Sequence, residues 1–94
     1  MEFLADREIN EAVAKKLGNP DVSDYCHSVG MAWEIVEYTQ QEGWLCHIGN
    51  SGVIKGMEWW CRFWRQKEFK DVVAYPAWAP NIPMAICHAF LQIP

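Results

Sequence analysis

The aromatic segment from Trp59 to Arg65 carries the side chains of this chain that are best suited to binding chemistry. It reads Trp-Trp-Cys-Arg-Phe-Trp-Arg. Aromatic residues favour a pleated strand, and successive side chains of a strand point to opposite faces. The alternation separates two sets of side chains, Trp59, Cys61 and Phe63 on one face and Trp60, Arg62 and Trp64 on the other. The second set is a column of two indoles with a guanidinium between them.

Such a column matches the chemistry of a nucleotide-like ligand. Stacking on an aromatic ring contributes about 1–3 kcal/mol per base, and a guanidinium pairs bidentately with a phosphate. A cyclic nucleotide combines both groups, and a homo-oligomer would enclose more of it than one small monomer. The predicted ligand-binding residues are the column and nearby aromatic, basic and histidine side chains: Trp60, Arg62, Trp64, Arg65, Tyr75, Trp78 and His47.

Two other readings of the aromatic residues stay open. Trp60 and Trp64 would serve no ligand if a helix packed over them as a second core face. A protein partner is the other alternative, because exposed Trp, Tyr and Arg dominate protein interfaces. Trp78 lies between Pro76 and Pro80, where a proline-framed loop would present a rigid indole. Trp78 and Tyr75 are therefore the candidates for contacting a protein partner, which the module would inhibit or recruit.

Catalytic and metal chemistry find little support in the sequence. The cysteines and histidines form three dipeptides, Cys26-His27, Cys46-His47 and Cys87-His88. Adjacent residues diverge on a strand or helix, and the paired spacing of zinc ligands is missing. No motif orients a base toward a nucleophile, and the segment Gly49 to Gly52 lacks the lysine of a phosphate-binding loop. The sequence predicts no enzyme, no metal, no cofactor, and free, mostly buried thiols.

Length and charge limit the class of protein. The 94 residues suffice for one domain with one core, which we expect to span positions 1–94. The formal net charge of −4 argues against a grip on duplex nucleic acid. The N-terminus has neither the basic start nor the apolar run of a secretory signal, and no apolar stretch reaches the length of a membrane span. We expect a soluble, cytosolic protein without membrane contact.

The elements that position these residues follow from hydrophobic periodicity and from Gly, Pro and Asn signals. The predicted helices are Asp6 to Leu17, His27 to Glu42 and Asn81 to Gln92, and the predicted strands are Trp44 to Ile48, Trp59 to Arg65 and Val72 to Tyr75. Ala77 to Pro80 is predicted to be irregular, and Val53 to Met57 extends a hairpin or forms a loop. The fold class is α+β in the order α-α-β-β-β-α, with an antiparallel sheet of three or four strands packed with helices as a sandwich.

The second predicted helix carries two finer expectations. Its apolar stripe is Val29, Ala32, Trp33 and Val36, so Trp33 is expected in the core. Gly30 costs up to about 1 kcal/mol relative to alanine inside a helix, which suggests a close approach of another group.

Three segments of the chain resemble a known family. They are Ile9 to Gly18 (INEAVAKKLG), Tyr25 to Gly43 with its Ala-Trp-Glu-Ile-Val-Glu core, and Ile82 to Leu91 with Pro-Met-Ala-Ile-Cys-His-Ala. Together they resemble the phage ABA sandwich domain, a family of small phage and prophage proteins. Members place a Ser/Thr-Asp cap after the tyrosine, whereas this chain has Cys26-His27-Ser28 there. The resemblance implies an α+β sandwich, and it transfers no catalytic residue.

A phage origin gives the ligand hypothesis a biological role. The resemblance implies a protein acting in the host cytoplasm, and a phage protein that sequesters a cyclic nucleotide signal would blunt bacterial immunity. The expected function is therefore a non-enzymatic anti-defence binding protein, with the host-protein module as the alternative.

Overall fold

The computed structural model describes residues 6–52, 54–67 and 71–94. The helices are α1 (Asp6–Leu17), α2 (Val29–Gln41) and α3 (Ile82–Gln92), and the strands are β1 (Leu45–Asn50), β2 (Trp59–Lys67) and β3 (Asp71–Ala79). The predicted α+β fold and its α-α-β-β-β-α order are confirmed. The polar segment Gln66 to Lys70 is predicted to connect the second and third strands as a hairpin. Part of it, and part of the segment from Val53 to Met57, lie outside the described residues.

The sheet over the described ranges has three strands in the order β1-β2-β3, and both pairings are antiparallel. The central strand β2 is the aromatic segment. Trp60 lies opposite Gly49 of β1 and opposite Trp78 of β3. Arg62 lies opposite His47 and Pro76 in the same way. The register therefore brings most of the predicted site residues into neighbouring rows.

The core lies between one face of the sheet and the helices. Cys61 and Phe63 of β2 are completely buried, and Ala77 and Ala79 of β3 are buried beside them. Helix α3 packs on these two strands, and α1 and α2 pack on α3. As its composition predicts, α3 is buried on most sides, at Pro83, Ala85, Ile86, Cys87, Ala89 and Phe90. Each large apolar side chain buried here stabilises the fold by about 1.5–3 kcal/mol.

Helix α2 departs from its predicted pattern. It begins at Val29 rather than His27, because the Ser28 side chain caps it by accepting the N–H of Met31 at 3.2 Å. Trp33 was expected in the core and is 49% exposed. Val29 is exposed as well, whereas Ala32 and Val36 are buried as predicted, and Ile35 and Thr39 complete the buried stripe.

Two further expectations about α2 have clear outcomes. Among the described residues outside the helix's own backbone, a Cβ at Gly30 would meet only the Ser28 Oγ, at 3.8 Å, so the expected close contact is wrong. Gly43 follows the helix in sequence and is predicted to adopt the left-handed conformation that ends it, and its φ of 87° confirms this.

Strand β3 is longer than predicted because it runs through a proline. Ala77 to Pro80 was expected to be irregular, yet the strand continues to Ala79. A proline has no N–H to donate and is tolerated at a sheet edge, where its nitrogen faces away from the neighbouring strand. The Pro76 carbonyl also faces outward, because it accepts a hydrogen bond from Gln92 Nε2 of α3 at 2.8 Å.

Among the described residues, no helix is long and apolar enough to cross a membrane.

Candidate ligand-binding face

The Trp60, Arg62 and Trp64 column lies on the sheet face that points away from the core. Its members alternate with the completely buried Cys61 and Phe63, and they are themselves only half-buried. Among the described residues, no helix packs on this side of the sheet. We call this surface the open face and define it by Leu45, His47, Trp60, Arg62, Trp64 and Trp78. The column is therefore a platform rather than a second core face.

Three side chains of the open face hold one another in place by direct contacts. An Arg62 Nη2 hydrogen donates to His47 Nδ1 across 3.0 Å, which places the ring proton of a neutral His47 on Nε2. The His47 and Trp64 ring centres are 5.5 Å apart. The Arg62 guanidinium lies 5.8 Å from the Trp64 ring, within the range of a cation–π contact. The guanidinium thus contacts both an imidazole and an indole, which also lie next to each other.

This group leaves two hydrogen-bond donors without a partner. Arg62 Nε and Trp64 Nε1 are shielded from solvent, and neither finds an acceptor within the part of the chain that the structure describes. A shielded donor without an acceptor costs about 1–3 kcal/mol. The open face therefore has unmet hydrogen-bonding capacity that suits an oxygen-rich ligand.

Trp60 occupies its place because Gly49 has no side chain. A Cβ at Gly49 would lie 2.3 Å from two carbons of the Trp60 ring. The indole therefore covers the β1 backbone at this point. Sequence reasoning missed Gly49, although a glycine inside a strand pattern signals a close approach of this kind.

Trp78 lies in a strand and not in the predicted loop. It is opposite Trp60 in the β2–β3 register and is 47% exposed. Its indole belongs to the open face because Trp78 alternates with the buried Ala77 and Ala79. The predicted residues His47, Trp60, Arg62, Trp64 and Trp78 therefore share one surface.

Arg65 and Tyr75 lie away from the open face, on the helix side of the sheet. The Arg65 guanidinium stands 4.3 Å from the Trp44 ring, and the Trp44 and Tyr75 ring centres are 5.7 Å apart. These residues line a cavity of about 460 Å³, together with Lys16, Glu42 and Phe90. The expectation of a single site is therefore wrong for Arg65 and Tyr75, because strand alternation places Arg65 with Cys61 and Phe63.

The cysteines are free thiols, as predicted, and only Cys46 is not fully buried. The Cys46 and Cys61 sulfurs lie 3.8 Å apart on neighbouring strands. Their hydrogen bond lowers the pKa of Cys46 and raises that of Cys61, which burial raises further. Burial also raises the pKa of Cys87 and brings the pKa of Cys26 to about 11. Three of the four thiols are thus held in the unreactive protonated form.

His27 is tied into the fold by two carboxylates. Its Nε2 lies 2.7 Å from Asp6 and its Nδ1 lies 3.0 Å from Asp24. This arrangement joins the start of α1 to the turn before α2. Within the described ranges, no set of three or more His, Cys, Asp or Glu side chains is placed to hold a metal ion.

Comparison with known proteins adds no relative to this description. No protein-family model matches the sequence, and no curated protein or solved structure gives a significant match. The resemblance to the phage ABA sandwich domain stays a prediction that rests on the three segments quoted for it. Function must therefore be argued from the side chains of this chain.

Proposed function

We propose that this protein is a non-enzymatic binding protein that captures a nucleotide-derived ligand on its open face. The observation that carries the proposal is the placement of Trp60, Arg62 and Trp64 on a sheet face without a helix over it, in the described part of the chain. That placement leaves indole surface and a guanidinium available to one ligand.

The indoles supply stacking surface for bases. Trp60 and Trp78 are neighbours across two strands, and Trp64 lies further along β2 on the same face. Stacking on two of these rings contributes about 2–6 kcal/mol to binding. Because every base has a π face, this contribution depends little on base identity.

The donors of the open face suit the phosphate. Arg62 Nε and Trp64 Nε1 lack acceptors within the described chain and are shielded from solvent. A phosphate recovers the cost of those unmet hydrogen bonds when the two side chains turn toward its oxygens. His47 already contacts Arg62 and fixes the direction of the guanidinium. A molecule that combines bases and phosphate, such as a cyclic nucleotide, uses both parts of the face.

The biological role that we propose is sequestration of an immune signal by a phage protein in the host cytoplasm. The open face brings together no nucleophile with an oriented base, so the ligand is held and released unchanged. A cyclic nucleotide bound in this way is withheld from the defence effector that it would activate.

A fluorescence titration tests the proposal. Tryptophan emission is followed while mononucleotides and cyclic oligonucleotides are added to wild type, Arg62→Ala and Arg65→Ala. We expect saturable quenching in wild type and Arg65→Ala, and at least tenfold weaker binding in Arg62→Ala. Arg65→Ala is the matched control because Arg65 stacks on Trp44, away from the open face. Binding that is lost only in Arg65→Ala would move the site to the cavity, and no quenching by any nucleotide would refute the proposal.

Recovery of the ligand distinguishes capture from turnover. The complex is denatured after prolonged incubation, and the released nucleotide is compared with the starting compound by mass spectrometry. Unchanged nucleotide supports sequestration. A cleaved product that appears with wild type, and at the same rate with Arg62→Ala, would instead point to chemistry elsewhere in the chain.

A protein partner on the same face is the second candidate function. Trp78 and Leu45 are 47% and 51% exposed, and exposed apolar side chains of this size mark docking surfaces. The test is co-purification of a host protein with wild type, Trp78→Ala and Trp33→Ala. Trp33 is a matched control, since it is 49% exposed but lies on α2. A partner lost only in Trp78→Ala supports this function, whereas equal recovery from all three forms argues against it.

A further inference from the structure

The two outer edges of the sheet differ in their capacity to pair with another strand. The β3 edge is blocked at Pro76, which has no N–H and whose carbonyl is taken by Gln92 Nε2. Proteins use such residues to protect edge strands from pairing. The β1 edge carries no proline and no charged residue, since it reads Leu-Cys-His-Ile-Gly-Asn.

The hydrogen-bond pattern identifies the backbone groups that β1 directs outward. The N–H of Ser51 donates to the Glu58 carbonyl at 2.8 Å. Ser51 and Glu58 continue the β1–β2 register beyond Asn50 and Trp59, and they form a hydrogen-bonded pair. Bonded and non-bonded pairs alternate along an antiparallel ladder. Gly49 and His47 therefore bond to β2, and the outward groups belong to Cys46, Ile48 and Asn50.

These outward groups are available to a partner. Among the described residues, no group hydrogen-bonds to the backbone of Cys46, Ile48 or Asn50. Cys46 and Ile48 also point to the helix side of the sheet, yet both are only half-buried. The strand therefore offers both unpaired backbone and partly uncovered core side chains along one edge.

We propose that β1 pairs antiparallel with β1 of a second copy around a two-fold axis at Ile48. Residues opposite each other must lie on the same face, and this register sets Ile48 against Ile48 and Cys46 against Asn50. Every outward N–H and C=O of β1 then finds a partner. The result is a continuous sheet made from the three strands of each copy.

A second copy can pair with this edge without opposing like charges. The chain has a net charge of −4, but a strand without charged residues opposes no like charges when it pairs with itself. The pairing also joins the two open faces. His47 comes opposite Gly49 of the second copy, at about 4.5 Å between Cα atoms. It therefore lies next to the partner's Trp60, whose ring covers that glycine.

Hydrogen exchange of assigned backbone amides tests this pairing without ligand, so its outcome is independent of the proposed function. We expect the amides of Cys46, Ile48 and Asn50 to exchange quickly in dilute protein and at least tenfold more slowly as concentration rises. The amides of His47 and Gly49 should be protected throughout, because β2 accepts them. Sedimentation should show the mass rising from 10.9 kDa toward twice that value over the same range.

Two variants at Asn50 separate edge pairing from other contacts. Asn50 is exposed, so Asn50→Pro removes an outward N–H without disturbing the core, and Asn50→Ala keeps that N–H. We expect dimerisation to weaken at least tenfold in Asn50→Pro and to persist in Asn50→Ala. A mass of 10.9 kDa at all concentrations would overturn the inference. A dimer that survives in Asn50→Pro, with the three outward amides still exchanging quickly, would overturn it as well.

Discussion

The indole of Trp60 lies against the backbone of Gly49, so closely that a Cβ at position 49 would stand 2.3 Å from the ring. The two residues are direct partners in the β1–β2 register. Gly49 therefore sets where Trp60 lies on the open face. A residue with no side chain thus determines the shape of the candidate site.

Replacement of Gly49 should change both the stability of the protein and the position of Trp60 on the open face. In Gly49→Ala the new methyl group displaces the Trp60 ring, and we expect the free energy of unfolding to fall by about 1–3 kcal/mol. Tryptophan emission should shift at the same time because one indole moves. Denaturant unfolding followed by fluorescence measures both effects.

Gly30→Ala is the control for the loss of glycine itself. Within the described part of the chain a Cβ there meets only the Ser28 Oγ at 3.8 Å, and alanine is the better helix former, by up to about 1 kcal/mol. We expect this variant to be as stable as wild type or more so, with unchanged emission. Equal destabilisation of the two variants would contradict the account of Trp60.

Lys16 fastens α1 to the end of α3. Its ammonium group donates to the carbonyls of Phe90, at 2.7 Å, and Ile93, and it lies 4.8 Å from the Phe90 ring. A cation at a helix C-terminus is favourable, and hydrogen bonds to a charged group are the stronger kind. We expect Lys16→Met to lower the free energy of unfolding by about 1–2 kcal/mol.

The neighbouring lysine provides the comparison for Lys16. Lys15 is exposed, and substitutions at such positions change stability by no more than about 0.5 kcal/mol. Thermal unfolding of Lys16→Met and Lys15→Met should therefore separate clearly. If the two variants melt together, the contacts of Lys16 with α3 contribute nothing to stability.

Thiol reactivity should single out Cys46. The hydrogen bond from Cys61 lowers the pKa of Cys46, whereas the pKa values of Cys26, Cys61 and Cys87 are raised. Because the thiolate is the nucleophile, iodoacetamide should label Cys46 first as the pH rises from 6 to 9. Peptide mapping of the folded protein measures the order. Labelling of Cys61 at the same rate as Cys46 would contradict it.

His88 should make the fold sensitive to mild acid. Burial lowers the pKa of His88 below its ordinary value of 6.5. The unfolded chain therefore takes up the proton at a higher pH than the folded protein, and stability decreases as the pH falls below 6.5. We expect the melting temperature to fall less between pH 7 and pH 5 in His88→Gln than in wild type. Parallel curves would show that His88 does not contribute to the acid sensitivity.

Much of the fold was predictable from the sequence because local signals agree with tertiary packing. Helix α1 spans the predicted Asp6–Leu17, and α3 begins one residue after its predicted start. The strand through Pro76 and the exposed Trp33 were not predictable. The first depends on β3 being an edge strand, and the second depends on which face of α2 meets α3, so neither is a property of local sequence.

The candidate site was predictable only in part. Alternation along one strand separates Trp60, Arg62 and Trp64 from Cys61 and Phe63, and the structure agrees. The same alternation excludes Arg65 from the column, although its closeness in sequence suggested one cluster. The contact of Trp60 with Gly49 required the β1–β2 register, which no pattern within a single strand specifies.

The side-chain N–H signals of the tryptophans test the central claim most directly, because each indole reports its own surroundings. The proposal is that the open face holds a nucleotide. Assigned spectra recorded with increasing cyclic dinucleotide should show shifts for Trp60, Trp64 and Trp78, while the signals of Trp33 and Trp44 stay in place. Shifts confined to Trp44, or no shift for any tryptophan at millimolar nucleotide, would contradict the claim.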